Sequence, residues 1–86
     1  MVEFLERGLS ALGKDAAAIR EDLKSAPWKV MLAAVIKRHT SATNVWITGR
    51  LNMGIPQAVS QDVGKFHAAG GEGTEAYQEL IINMTT

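Results

Sequence analysis

The chain of 86 residues contains no cysteine, which excludes disulfide bonds and thiolate metal ligands. Long apolar runs are also missing, because the longest, VMLAAVI at 30–36, is far shorter than the roughly 20 residues that cross a membrane. The N-terminal stretch MVEFLERG is acidic and amphipathic, unlike a secretory signal. From these absences we expect a cytoplasmic protein without a membrane partner.

Residue types used in catalysis are scarce as well. The two histidines, His39 and His67, lie far apart and have no carboxylate or thiolate at ligand spacing, so we expect no metal site and no cofactor. The sequence contains no recognisable nucleophile–base pair and no paired carboxylates in an apolar setting. We therefore expect neither an enzyme nor a protein with a small-molecule substrate.

The formal net charge is zero, but the charges are distributed unevenly. Residues 1–26 are nearly balanced. Residues 27–67 hold five basic side chains against one aspartate, and residues 68–86 hold three glutamates and no basic residue. A local excess of positive charge attracts an anionic partner such as DNA. The middle of the chain is thus the candidate contact region, with an ordinary charged surface as the alternative explanation.

Apolar periodicity predicts an all-α protein of four to five short helices. Pro27 and Pro56 suit the first turn of a helix, and Asn52 and Gly54 tolerate the left-handed backbone that ends one. We expect helices over about 2–12, 16–24, 27–39, 43–51 and 56–68. The last segment is expected to be helical over 74–84, with a strand over 79–84 as the alternative.

These helices are expected to form one compact domain with three regions. Residues 1–26 are a helical region, 27–68 a helix-turn-helix core, and 69–86 an acidic tail or helix after a flexible break at 69–73. A further hypothesis is that the acidic tail shields the basic residues when DNA is absent. In the helix over 16–24, Ile19 and Leu23 should point inward. In the helix over 27–39, Lys29 should lie with Lys37 and Arg38 outside the buried stripe, which consists of Met31 or Leu32, Val35 and Ile36.

The segment WITGRLNMGIPQAVSQ at 46–61 predicts a helix-turn-helix. A DNA-binding version needs a second helix with one apolar side and one polar side. The apolar set expected to face the core is Ile47, Leu51, Met53, Val59, Val63 and Phe66. The candidates for contacts with base edges are Gln57, Ser60, Gln61 and Lys65. Gln57, Gln61 and Lys65 are spaced four residues apart, so they form one ridge without a large apolar group.

Five further residues are candidates for contacts with DNA phosphates. They are basic or hydroxyl-bearing side chains near the two helices, and they comprise Lys37, Arg38, Thr40, Ser41 and Arg50. Thr40, Ser41 or Thr43 is also expected to cap the helix that follows. A purely structural pair of helices is the alternative interpretation of this segment.

The motifs WITGRLNMG and QAVSQDV, preceded by PWKVMLAAVIKRHTSATN, resemble the C-terminal segment of REP-associated tyrosine transposases and related transposase-like bacterial proteins. The resemblance covers residues 19–67 and is most specific at Trp46-Ile47, Leu51, Met53-Gly54 and Val59-Ser60. It implies a helix-turn-helix similar to those of the Trp repressor and replication initiators. This chain has Thr48 where the family normally has Ala, and Gln61 where a basic residue often follows the serine.

The resemblance implies binding of double-stranded DNA, by a free-standing relative or by a fragment of a longer protein. The nuclease of those transposases needs a His-hydrophobe-His metal site and a tyrosine nucleophile, and this sequence does not contain that motif. The alternative function is a protein-interaction or dimerisation module, possible as a homodimer. The apolar surface that a partner would bury consists of side chains near the two ends of the chain, namely Phe4, Leu9, Leu12, Leu80, Ile81 and Ile82.

Overall fold

The computed structural model describes residues 1–86 and consists of helices without any strand. The six α-helices are α1 Val2–Leu12, α2 Ala16–Glu21, α3 Pro27–His39, α4 Asn44–Leu51, α5 Pro56–Ala68 and α6 Glu75–Thr85, with a short 3₁₀ helix at Gly71–Gly73. The all-α prediction is confirmed, with one or two more helices than expected. No helix combines the length and the apolar composition that a membrane span requires.

The first helix lies against α3 and α6. Leu5 is buried, and Phe4, Leu9 and Leu12 pack half-buried against the same core. Gly8 marks a close approach, because a Cβ atom there would come within 2.4 Å of the Leu32 side chain. The glycine that weakens this helix intrinsically therefore permits its packing.

The second helix is shorter than the sequence predicts. Asp15 caps its start, accepting a hydrogen bond from the Ala18 amide at 3.0 Å. The helix ends at Glu21 because Asp22 adopts an extended backbone, and its carboxylate accepts a hydrogen bond from the Trp28 indole at 2.7 Å. Leu23, predicted to point inward, is therefore 75% exposed.

The third helix is the centre of the molecule. Pro27 occupies its first turn as predicted, and five successive residues are buried, from Leu32 to Ile36. Such a run is buried because α1, α5 and α6 all pack against this helix. Side chains from α1, α3, α4, α5 and α6 form one core cluster. The radius of gyration of 11.5 Å is close to the roughly 12 Å expected for a single domain of this length.

The end of the chain is ordered by packing against the core. The predicted flexible break is wrong, because Gly71 is buried and a Cβ atom there would lie 2.6 Å from the Phe66 ring. Thr74 then caps α6, which buries Tyr77, Leu80 and Met84, so the alternative of a strand is also wrong. Because α6 packs against α1 and α3, it belongs to the core, so any shielding of basic residues by this acidic segment would act from a folded position.

Candidate nucleic-acid interface

The two helices of the predicted DNA-binding segment are joined by a defined turn. Thr43 starts α4 by accepting a hydrogen bond from the Trp46 amide at 3.1 Å. Asn52 ends α4 in the left-handed region with φ of 52°, and Gly54 follows with φ of 92°. Pro56 then begins α5. Capping and turn residues therefore act where the sequence placed them.

The apolar sides of α4 and α5 are buried against each other and against α3. Five of the six residues predicted to face inward are at most 5% exposed, namely Ile47, Leu51, Met53, Val59 and Val63. Phe66 is half-buried and its ring centroid lies 5.5 Å from that of Tyr77. Burial on this side fixes the rotation of α5 about its axis.

The opposite side of α5, which we call the outer face, is exposed to solvent and is not covered by any other part of the chain. It comprises the four predicted base-contact residues together with Gly64, and all of them are exposed: Gln57, Ser60, Gln61, Gly64 and Lys65. Lys65 takes part in none of the ion pairs of the chain. Asp62 is half-buried and lines a neighbouring groove together with Lys65, so it lies at the edge of this face. The outer face itself therefore presents only amides, a hydroxyl, a glycine and one ammonium group.

Three of the predicted phosphate contacts are exposed cations, each with a partner within the chain. The Lys37 ammonium donates a hydrogen bond to the side-chain carbonyl of Asn44 at the start of α4. The Arg38 guanidinium lies 3.9 Å from the Glu72 carboxylate. The Arg50 guanidinium lies over the Trp46 ring at 5.2 Å from its centroid. All three remain accessible to an external anion.

The two predicted hydroxyl contacts differ. Thr40 donates its hydroxyl hydrogen to the Ile36 carbonyl at 2.7 Å and accepts from the Ala42 amide at 3.1 Å. Its only hydrogen is thus used within the turn between α3 and α4, and the hydroxyl has none left for a phosphate. Ser41 is exposed beside it. Of the two, only Ser41 remains a candidate for donating a hydrogen bond to an external anion.

The position of Lys29 differs from the prediction and lowers the number of exposed cations in the middle region. Expected outside the buried stripe, it is fully buried, and its ammonium donates to the carbonyls of Ile19 at 2.8 Å, Asp22 at 3.2 Å and Asn52 at 3.4 Å. Burial lowers the pKa of this lysine, and the nearby Asp22 carboxylate opposes that shift. The exposed cations of the middle region are therefore Lys37, Arg38, Arg50 and Lys65.

The Lys29 junction, formed by Lys29 and its three carbonyl acceptors, links distant parts of the chain. It ties the end of α2 and the following segment to the turn before α5. The Asn52 side chain reinforces the link by donating to the Ile19 carbonyl at 3.3 Å. Since Asn52 ends α4, this junction fixes the turn from which α5 departs.

Both tryptophans are half-buried and pack against the core cluster. Trp28 lines an apolar groove of about 490 Å³ between α3, α5 and the start of α6, together with Met31 and Phe66. The indole of Trp28 holds the pKa of Asp22 below its usual range by hydrogen bonding, with Lys14 adding to the shift. This groove borders α5 at Asp62 and Lys65, where the outer face ends.

Sequence reasoning missed two charged groups near the interface. Lys24 is exposed, and its side chain runs past the turn, with Cδ 3.5 Å from the position of a Cβ on Gly54. Glu72 lies 2.6 Å from His67 Nδ1 as well as near Arg38, and its charge adds to burial in raising the pKa of Tyr77. The contacts of Lys24 with the turn and of Glu72 with Arg38 have no local sequence signal, because each joins residues at least 30 positions apart.

Comparison with known proteins leaves the family of the chain undetermined, so the resemblance to the transposase segment stays a prediction. The chain matches no protein-family model, no curated protein and no solved structure.

Proposed function

We propose that this chain binds double-stranded DNA by placing the outer face of α5 in the major groove. The observation that carries the proposal is that all four predicted base-contact residues, Gln57, Ser60, Gln61 and Lys65, are exposed on one side of a helix whose other side is buried. A helix fits the major groove, where glutamine can pair with adenine and lysine with guanine.

The exposed cations around this helix supply the contacts that do not depend on base sequence. Lys37 and Arg38 come from the end of α3 and Arg50 from the end of α4, so they belong to the elements that precede the turn. Phosphate contacts of this kind position a helix on the duplex, while base contacts specify the sequence. The relation to transposase-like proteins is part of the same proposal.

The salt dependence of duplex binding tests this function. With three cations on phosphates and Lys65 adding a fourth positive charge in the groove, the affinity should fall with a log–log slope of roughly −3 to −4, which is roughly a 60- to 250-fold loss between about 50 and 200 mM salt. We would measure it by fluorescence anisotropy with a pool of mixed duplexes.

A pair of arginine variants controls this experiment. Arg50→Gln should make the slope shallower by about 1, since one phosphate contact is lost. Arg7→Gln removes the same charge from the exposed side of α1 and should leave the slope nearly unchanged. A duplex affinity that does not change with salt concentration, or no binding at the lowest salt concentration, would refute the proposal.

The alternative, an interaction or dimerisation module, is less well supported by the packing. The apolar residues proposed as a partner-binding surface largely pack against each other or the core, because α1 lies against α6. Only Ile82 of that set is exposed, at 60%. A homodimer is still compatible with DNA binding, and sedimentation of the free chain at increasing concentration distinguishes it from a monomer.

A further inference from the structure

A carboxylate lies between two potential cations at the end of α5. Glu72 Oε1 is 2.6 Å from His67 Nδ1, and Glu72 Oε2 is 3.9 Å from an Arg38 guanidinium nitrogen. The three side chains are between 37% and 64% exposed, so the cluster is open to solvent. Two donors from different helices thus converge on one anion supplied by the chain itself.

The donors lie beside the proposed DNA-contacting face. His67 follows Ser60 by seven residues, which is almost two turns, so the two lie nearly in line along α5. Arg38 reaches the same place from the end of α3. Guanidinium and imidazole groups that bind a carboxylate also bind a phosphate oxygen, because both anions accept charge-assisted hydrogen bonds.

We propose that Arg38 and His67 form a phosphate-binding site at the end of the outer face, and that Glu72 occupies it in the free protein and competes with DNA. The proposal rests on the DNA-binding function and adds His67 to the contacts. Glu72 acts as a competitor at high local concentration, since binding of a phosphate must displace an anion tethered in place.

The backbone that carries Glu72 is held firmly. Glu72 belongs to the 3₁₀ helix whose first glycine is buried against Phe66. Its carbonyl accepts a hydrogen bond from the Gln78 side chain at 2.7 Å, and Thr74 caps the helix that follows. The carboxylate is therefore presented to Arg38 and His67 by folded structure, and its side chain is 40% exposed to solvent.

Matched glutamate variants test the competition. Glu72→Gln keeps the size and a hydrogen-bond acceptor but removes the charge, so duplex affinity in the anisotropy assay should rise roughly two- to fivefold. Glu79→Gln removes the same charge from an exposed position of α6 that forms no ion pair, and should have a smaller effect. Equal effects of the two variants would overturn the proposal.

A second substitution separates a specific site from a change in net charge. Adding His67→Gln to Glu72→Gln should cancel most of the gain in affinity, whereas a gain that persists would show that His67 takes no part. Thermal unfolding of each variant verifies that the fold is retained.

Inorganic phosphate tests the site without DNA. Phosphate is titrated into the protein while NMR follows the chemical shifts of the His67 ring protons. The shift change should saturate at a lower phosphate concentration in the Glu72→Gln variant than in the unsubstituted chain. Phosphate binding without any duplex binding would refute the DNA-binding function but leave the anion site in place. Absence of a shift in both proteins would overturn the site itself.

Discussion

Replacing Lys29 with methionine is expected to lower the free energy of unfolding by about 2–4 kcal/mol. The substitution keeps a long side chain but removes the ammonium that three backbone carbonyls share. Those partly buried carbonyls would lose a shared donor, and the turn at Asn52 would keep only its side-chain hydrogen bond to α2. Urea unfolding followed by circular dichroism measures the change.

Two opposing effects decide how the loss of the Lys29 ammonium changes the free energy of unfolding. Replacing a complete buried ionic cluster by apolar residues is often neutral or stabilising, because the cost of desolvating the charges disappears. Here only the donor is removed and the carbonyls stay, so the loss of hydrogen bonds should dominate. Lys24→Met is the matched control, since Lys24 is exposed and a surface change of this kind is usually within about 0.5 kcal/mol. Equal stability of both variants would contradict the importance of the Lys29 junction.

Replacing Gln57, Gln61 and Lys65 together by alanine is expected to weaken duplex binding about 30-fold or more. Each side chain that pairs well with a base edge contributes about 1–3 kcal/mol of discrimination, and the lysine adds an electrostatic term. All three are exposed, and alanine favours helix, so the fold should be kept. Anisotropy measures the affinity and circular dichroism the fold.

A control triple variant on another surface removes one cation and two polar groups in the same way. Arg7, Ser10 and Asn83 lie together on the side of the molecule formed by α1 and α6, where they line a shallow depression. Their replacement by alanine should change duplex affinity only slightly. A similar loss in both triple variants would mean that binding follows overall charge and not the outer face of α5.

Much of the architecture around the turn was predictable because its signals are local. Asn52 and Pro56 act on the backbone within a few residues of themselves, so local rules place them correctly, whereas the same rules left the cap of α4 open among Thr40, Ser41 and Thr43, of which Thr43 is the one observed. The exposure of Gln57 and Gln61 followed from helical spacing, since the valines of the same helix had to face the core.

The errors concern residues whose environment is made by distant parts of the chain. Helical periodicity assigned Lys29 to the surface because lysine is charged, but carbonyls from Ile19 and Asn52 supply the polar surroundings that permit its burial. Likewise, a glycine-rich stretch usually indicates a flexible loop, and only the Phe66 ring explains why Gly71 is buried there. Sequence spacing carries no information about such contacts.

Two-dimensional ¹H–¹⁵N NMR of the protein with a duplex at low salt tests most directly whether the outer face of α5 contacts DNA. If it does, the amide signals of residues 57–65, including the side-chain amides of Gln57 and Gln61, should shift most on addition of DNA. Smaller shifts should occur around Ser41 and Arg50. Shifts confined to α1 and α6, or no shifts at all, would contradict this contact.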